Sequence, residues 1–297
     1  MVVLSNISGG IEPSIRKILD DGGVPALQGS TEGVGAVAAW LDWNSPLPEE
    51  TEAPLPLPTD LLAELDTCGG IVPYALSTRV LAHFGITALC ERLTQTPEEA
   101  KAAAEAIGYP VALKGISPDI THKTETGLVK LNIADAGALR QAWDELERSM
   151  NLHHPDARRE GMLIQSMVTG DVVETIAGVN RDPAFGTAVV GLGGIFVELL
   201  RDVSLELAPL SPARAKAMLN RLQAAKLLQG FRGKQPADIA ALEETLVRLG
   251  RMAHALGERL VSLDLNPLMV LPEGQGVRIV DIVMQARPSG DSPKHLP

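Results

Sequence analysis

Gly108-Tyr-Pro-Val-Ala-Leu-Lys-Gly-Ile-Ser-Pro-Asp-Ile-Thr-His-Lys-Thr-Glu125 closes a helix, runs an apolar strand through a lysine, and passes into a loop of hydroxyls, a histidine and a second lysine. The helix is announced upstream by Thr96-Pro-Glu-Glu99, with threonine as N-cap, proline at the first helical position and a glutamate in capping-box position. Gly108 and Pro110 stop its alanine-rich body, and the strand Val111 to Ile116 follows at once. Helix and strand therefore alternate with short connections, as in a mixed α/β protein. Lys114 stands where the buried-strand pattern ends. A cation there can reach phosphates as a point charge, but spacing alone favours an edge lysine snorkelling to solvent. The loop from Ser117 to Gly127 has the composition of a phosphate cradle, although a histidine in a polar loop is usually only solvated.

Working outward, Asp135 opens a second helix whose Leu139, Ala142, Trp143, Leu146 and Met150 form one apolar stripe, which assigns Trp143 to a core. From Met162 the pattern turns toward strands: Met162 to Val168, Val172 to Val179 and Thr187 to Leu192 are rich in β-branched residues. Ser211-Pro212 starts another helix, and Asp238 to Leu256 carries Leu242, Leu246, Leu249, Met252, Ala253 and Leu256 on one face. Val261 to Leu271, a Pro-Glu-Gly-Gln-Gly turn and Val277 to Met284 read as a β-hairpin. Two α+β lobes joined near residue 160, with a ligand cleft between them, account for this order.

Toward the N-terminus, Val2 to Leu4 and Val24 to Leu27 read as strands, and Ile11 to Asp21 and Thr31 to Trp43 as helices. Some 45 residues of this kind cannot close a core alone. Ser45 to Pro58 carries prolines at alternating positions that deny both helix and sheet, as in an interdomain linker. The expected organisation is a partial βα segment over residues 1–45, a linker over 46–60, lobes over 61–160 and 161–290, and a tail over 291–297.

Composition narrows the function. A formal charge of −11 repels a phosphate backbone and argues against nucleic acid as a partner. No apolar run approaches the roughly 20 residues of a membrane span, and the first ten residues lack the pattern of a secretory signal, so the cytoplasm is the expected location. Cys68 and Cys90 cannot build a disulfide framework.

The hairpin carries a candidate metal site. Asp264 and Asn266 lie two apart on one strand and so share a face, and the return strand brings Asp281 toward them. Hard oxygen donors in small number suit Mg²⁺; the same residues could merely end strands, and spacing weighs the two readings about equally. Gly191-Leu-Gly-Gly194 follows a strand and lets backbone N–H groups approach an anion, but it matches neither a dinucleotide fingerprint nor a P-loop.

Four stretches taken in order, Gly108 to Glu125, Gly178-Val-Asn-Arg-Asp-Pro-Ala-Phe-Gly186, Gly191-Leu-Gly-Gly-Ile-Phe-Val-Glu198 and Leu263-Asp-Leu-Asn-Pro-Leu268, resemble the ATP-grasp part of NDP-forming acyl-CoA synthetases. The resemblance implies a two-lobed ATP-grasp fold preceded by a partial flavodoxin-like βα segment. It implies ATP and Mg²⁺ as cofactors, with Lys114 on the phosphates, Gln165, Ser166 and Val168 on a strand whose backbone meets adenine, Glu174 on the ribose, and Gly193 and Gly194 in the glycine loop. Asp264, Asn266 and Asp281 match the metal-binding strand pair. His122 matches a histidine that in some members carries a phosphoryl group, whereas others use only a histidine in the CoA-ligase portion. The CoA-binding and ligase domains would be supplied as a separate α-like subunit or a missing N-terminal half, and assembly into an oligomer is left open. Two departures stand out: Gly127-Leu128 replaces a pair of glycines, and Ser262 an acidic residue. Alternatives kept open are another ATP-grasp carboxylate ligase that dispenses with phosphohistidine, and a non-catalytic nucleotide-binding assembly or regulatory subunit.

Overall fold

The computed structural model describes residues 2–5, 11–44, 55–120, 126–181, 188–194, 202–223, 225–230, 233 and 235–288. The chain divides into two compact units, Met1–Thr51 and Glu52–Pro297. His122 and most of the proline-rich linker lie outside the described residues, as does the tail.

The first unit contains β1 (Val3–Ser5), α1 (Pro13–Asp21), β2 (Ala26–Gln28) and α2 (Ser30–Asn44). β1 and β2 run parallel. Gly33 lets α2 lie directly on β1: a Cβ there would fall 2.1 Å from a methyl of Leu4. The unit buries little, since α1 has no buried residue and Val2, Leu4, Ile15, Ile18, Trp40 and Leu41 are all exposed.

The second unit comprises α3 (Thr59–Asp66), β3 (Gly70–Ile71), α4 (Tyr74–His83), β4 (Glu91–Thr94), α5 (Pro97–Ile107), β5 (Val111–Ile116), β6 (Val129–Ile133), α6 (Ala136–His153), β7 (Gly161–Ser166), β8 (Val173–Arg181), β9 (Ala188–Gly194), β10 (Ser204–Leu207), α7 (Pro212–Arg221), α8 (Ala225–Leu228), α9 (Ile239–Leu256), β11 (Leu260–Val270), β12 (Val277–Ile279) and β13 (Ile282–Ala286). The helix starts use the side chains their sequences offer. Thr96, Asp135, Ser211 and Asp238 each accept from a backbone N–H three residues on, which satisfies a donor the helix itself leaves orphaned. The capping box differs in one detail: the Glu99 carboxylate accepts from the Gln95 N–H, one residue before the cap.

A four-stranded antiparallel sheet, order β4-β7-β5-β6, is backed by α5 and α6. Trp143 is in that core with Leu113, Leu146 and Ile164. A seven-stranded sheet runs β10-β9-β8-β11-β13-β3, with β12 also on β11, and α9 packs against β8, β9 and β11. The apolar stripe of α9 is wholly buried.

Two features depart from a division into lobes at residue 160. Leu61, Leu65, Val80, Leu81 and Phe84 belong to the large sheet's core, because β3 pairs with β13 and carries α3 and α4 with it. β7 belongs to the four-stranded sheet, between β4 and β5. The chain thus changes sheets after Ser166, one strand later than the sequence suggests.

Candidate functional site

The expected hairpin is present with its return strand broken. The first half of β11 pairs with β13 as far as Leu265 with Ile282, and its second half pairs with β12 from Leu268 with Ile279. Between them the register shifts at the cis Asn266-Pro267 bond. Val280 and Asp281 occupy the break. The Val280 N–H donates to the Pro267 carbonyl at 3.1 Å, and the Asp281 carboxylate accepts from the Ile282 N–H at 2.9 Å.

Alternation sorts β8, β11 and β13 into two faces. Thr175, Ala177, Val179, Leu263, Leu265, Leu268, Ile282 and Met284 are buried toward the helices. The opposite face is open and carries the exposed Glu174, Asp264 and Asn266. In register across it, Gly191 and Gly178 line up with Asp264 and Val283. Bare backbone therefore flanks the Asp264 carboxylate. Asp281 continues the same face level with Asn266, since its neighbour Ile282 pairs with Leu265. Gly193 falls on the open face opposite Ile176, whereas Gly194 pairs with Thr175 in the core-facing register. Among the described residues no three His, Cys, Asp or Glu side chains gather as a metal site. The donor set here combines two carboxylates with an amide oxygen, hard ligands of the kind that suits Mg²⁺.

The four-stranded sheet contributes a second polar face. Gln165 stands between Glu91 and Ala112 across the strands, and Lys114 lies two residues further along β5 on the same side. Lys114 is 4% exposed and Gln165 1%. The Lys114 ammonium donates to the Val280 carbonyl at 2.6 Å, and the Gln165 Nε2 donates to the same oxygen at 3.1 Å and to Glu91 Oε2 at 2.7 Å. The Tyr74 hydroxyl lies 3.0 Å from both oxygens of Glu91, and the Tyr74 N–H donates to the Glu160 carboxylate at 2.8 Å. Burial pushes the Glu91 carboxyl above its ordinary range, against the hydrogen bonds from Gln165 and Tyr74 and the charge of Lys114. Burial, then the charge of Glu91, raises the Tyr74 phenol.

Lys114 and Gln165 are thus brought to the strand break that holds Asp281. Ser166 spends its N–H on the Cys90 carbonyl at 2.9 Å, and Val168 is half-buried in the crossing between the sheets. Glu91 and Tyr74 were not singled out by sequence, where an isolated Glu in a short polar strand carries no period that marks it.

The ATP-grasp domain model matches residues 70–285, and the chain belongs to that family. The β subunit of ADP-forming acetate–CoA ligase II of Pyrococcus furiosus is 39% identical over 204 residues, 68% of this chain and 86% of that protein. Trans-feruloyl-CoA synthase of an unknown prokaryotic organism is 31% identical over 273 residues, 91% of this chain but 37% of its own length, so the chain spans just over a third of that relative. Two solved structures of Ca. Korarchaeum cryptofilum dinucleotide forming acetyl-coenzyme A synthetase 1 share the fold. One, in complex with coenzyme A, Ca-AMPCP and HgCl⁺, is 38% identical with a TM-score of 0.70, covering 76% of this chain and 98% of that one. The other, with coenzyme A and Mg-AMPPCP and its phosphohistidine segment pointing towards the nucleotide binding site, is 35% identical with a TM-score of 0.63, covering 77% and 99%.

Proposed function

We propose that this chain is the nucleotide-handling part of an ADP-forming acyl-CoA synthetase, working in the cytoplasm with CoA-binding and ligase domains to make acyl-CoA, ADP and phosphate from an acid, CoA and ATP. The observation that carries the reading is the convergence of Lys114 and Gln165 on the carbonyl next to Asp281, on the faces where a nucleotide and its metal are expected. The relatives' names and the nucleotide analogues in the neighbours support it.

In this reading the adenine rests against the end of β7 and the crossing that follows, by Gln165, Ser166 and Val168, and Glu174 takes the ribose hydroxyls. Gly193 and Gly194 bring backbone close to the phosphates, and Lys114 offsets their charge. Asp264, Asn266 and Asp281 would hold Mg²⁺, which supplies neutralisation of charge on the phosphate oxygens. The γ-phosphoryl leaves the β–γ bridging oxygen of ATP for a neutral imidazole nitrogen, ADP departs, and the phosphoryl then serves acyl-phosphate formation. His122 is the acceptor proposed on this chain.

Incubation with γ-labelled ATP and Mg²⁺, alone and with the ligase partner, tests this. Acid-labile, base-stable label on this chain that disappears in His122→Ala supports the relay. Label confined to the partner moves the acceptor there. ATP binding with no phosphoryl transfer even in the partner's presence would leave a nucleotide-binding assembly subunit.

A further inference from the structure

The first unit exposes apolar surface out of proportion to its size. Among the described residues, Met1–Thr51 shows seven exposed large apolar side chains and the far longer second unit five. On α1, Ile15, Ile18 and Leu19 fall within one arc of about 100°, while Arg16 with Asp20 and Lys17 with Asp21 pair along the other side. A helix patterned in this way lies on a core, yet Ile15 is 52% and Ile18 70% exposed. β1 and β2 form a parallel pair, and among the described residues neither strand has a second neighbour. Parallel strands are as a rule buried on both faces, and two strands alone hold together poorly. The more open side is that of β1: Leu4, and Val2 just before it, are exposed, whereas Ala26 and Leu27 of β2 are half-buried.

The lengths of the relatives indicate what covers this surface. The match to trans-feruloyl-CoA synthase takes in 91% of this chain, so it includes α2 even if every unmatched residue lies at the N-terminus, and most of that protein lies beyond the match. In the Pyrococcus furiosus β subunit the 204 matched residues make up 86% of the protein, and what is left is shorter than this unit. The unit therefore goes with the portion that the long relative has and the β subunit lacks. We propose that the first unit is the docking surface for the CoA-binding and ligase partner: the free edge of β1 takes a parallel strand of an α/β domain in that partner, which also covers Ile15 and Ile18 on α1. This rests on the reading that such a partner completes the enzyme. Strand addition supplies backbone hydrogen bonds at an otherwise unpaired edge, and the α1 stripe supplies apolar area.

The probe is the part of trans-feruloyl-CoA synthase outside its match to this chain, mixed with the full chain and followed by sedimentation and hydrogen exchange. A one-to-one complex should form and slow exchange at the β1 amides. The double substitution Ile15→Glu, Ile18→Glu should weaken that complex about tenfold or more. Because both side chains stand largely in solvent, it should leave helicity and ATP affinity unchanged. A complex indifferent to the double substitution, with β1 exchanging as fast as before, overturns the proposal. So does the absence of any complex, and so does self-association that protects the same amides, since a second copy would then occupy the surface. ATP binding by the same samples separates the two readings: with ATP bound and no complex, the docking surface alone falls, whereas a complex without ATP binding removes the nucleotide reading and leaves the surface standing.

Discussion

Lys114 Nζ lies 2.6 Å from the carbonyl oxygen of Val280, the residue immediately before Asp281. One hydrogen bond therefore joins the inner face of the four-stranded sheet to the strand break that bears a candidate metal ligand. If Lys114 contacts phosphate and Asp281 a metal ion, as proposed, this short link would make the two respond together to a nucleotide.

Replacing Lys114 by Met tests whether the link serves binding or only the fold. Methionine keeps most of the volume and removes the charge, and the Val280 carbonyl retains its donor from Gln165. Losing the bond is partly offset by relief from burying an ammonium, so stability should change by no more than about 1–2 kcal/mol. ATP affinity should fall by roughly tenfold to a hundredfold, as truncation of one partner of a buried charge contact does. Thermal denaturation read beside calorimetry separates the two effects. Unchanged affinity with lowered stability would make Lys114 a structural bolt.

Asp264→Asn and Asp281→Asn each exchange a carboxylate for an amide of the same shape. Asp264 is exposed on the open face, and Asp281 lies level with Asn266 in the strand break. Each variant should keep its circular dichroism and lose the enhancement of ATP affinity by Mg²⁺, since hard dications favour anionic oxygen. Survival of the full Mg²⁺ effect in both would make these residues strand ends only.

The loop after β5 has an acid-sensitive tether. Hydrogen bonds from the Arg158 guanidinium, the shortest 2.7 Å, and from its N–H at 2.8 Å lower the Asp119 pKa to about 2. A depressed carboxylate pKa stabilises the folded form fully above the ordinary range near 4, and the contribution is lost as pH falls from there through about 2. The pair is exposed, so its share in global stability is small. Asp119→Asn at neutral pH should leave the melting temperature nearly unchanged and accelerate hydrogen exchange at the Arg158 amide. Exchange as slow as in the unaltered protein would show that the tether does not hold that segment.

What the sequence disclosed tracks how local each cause is. Thr96, Asp135, Ser211 and Asp238 act on N–H groups three residues away, and the stripe on α9 repeats within one element. The closing hairpin was legible because its turn and strands are contiguous. Tyr74 and Glu91 are 17 residues apart in sequence, and Glu91 meets Gln165 only after 74 more. Glu-Arg-Leu-Thr in β4 looks like surface, and Glu91 is half-buried because a different sheet covers part of that face. The pairing of β7 with β4 and β5 was hidden for the same reason: strand composition reports burial, and the choice of partner strand is long-range.

Gly178 shows a glycine visible as a motif residue whose reason appears only in three dimensions. It pairs with Asp264, and a Cβ at this position would stand 2.5 Å from the Leu263 carbonyl oxygen. The obstacle is backbone, so no side chain can swing aside, and an alanine must push β8 and β11 apart. Gly178→Ala should therefore cost about 1–3 kcal/mol, the usual range for overpacking. The displacement falls on the strand that carries Asp264 and Asn266, so the Mg²⁺-dependent part of ATP affinity should fall too, although the substituted residue bears no ligand group. Thermal melts and calorimetry with and without Mg²⁺ read the two effects on one sample. A variant as stable as the parent would show that the sheet accommodates the methyl group. Lower stability with intact Mg²⁺ dependence would show that the strain relaxes away from Asp264.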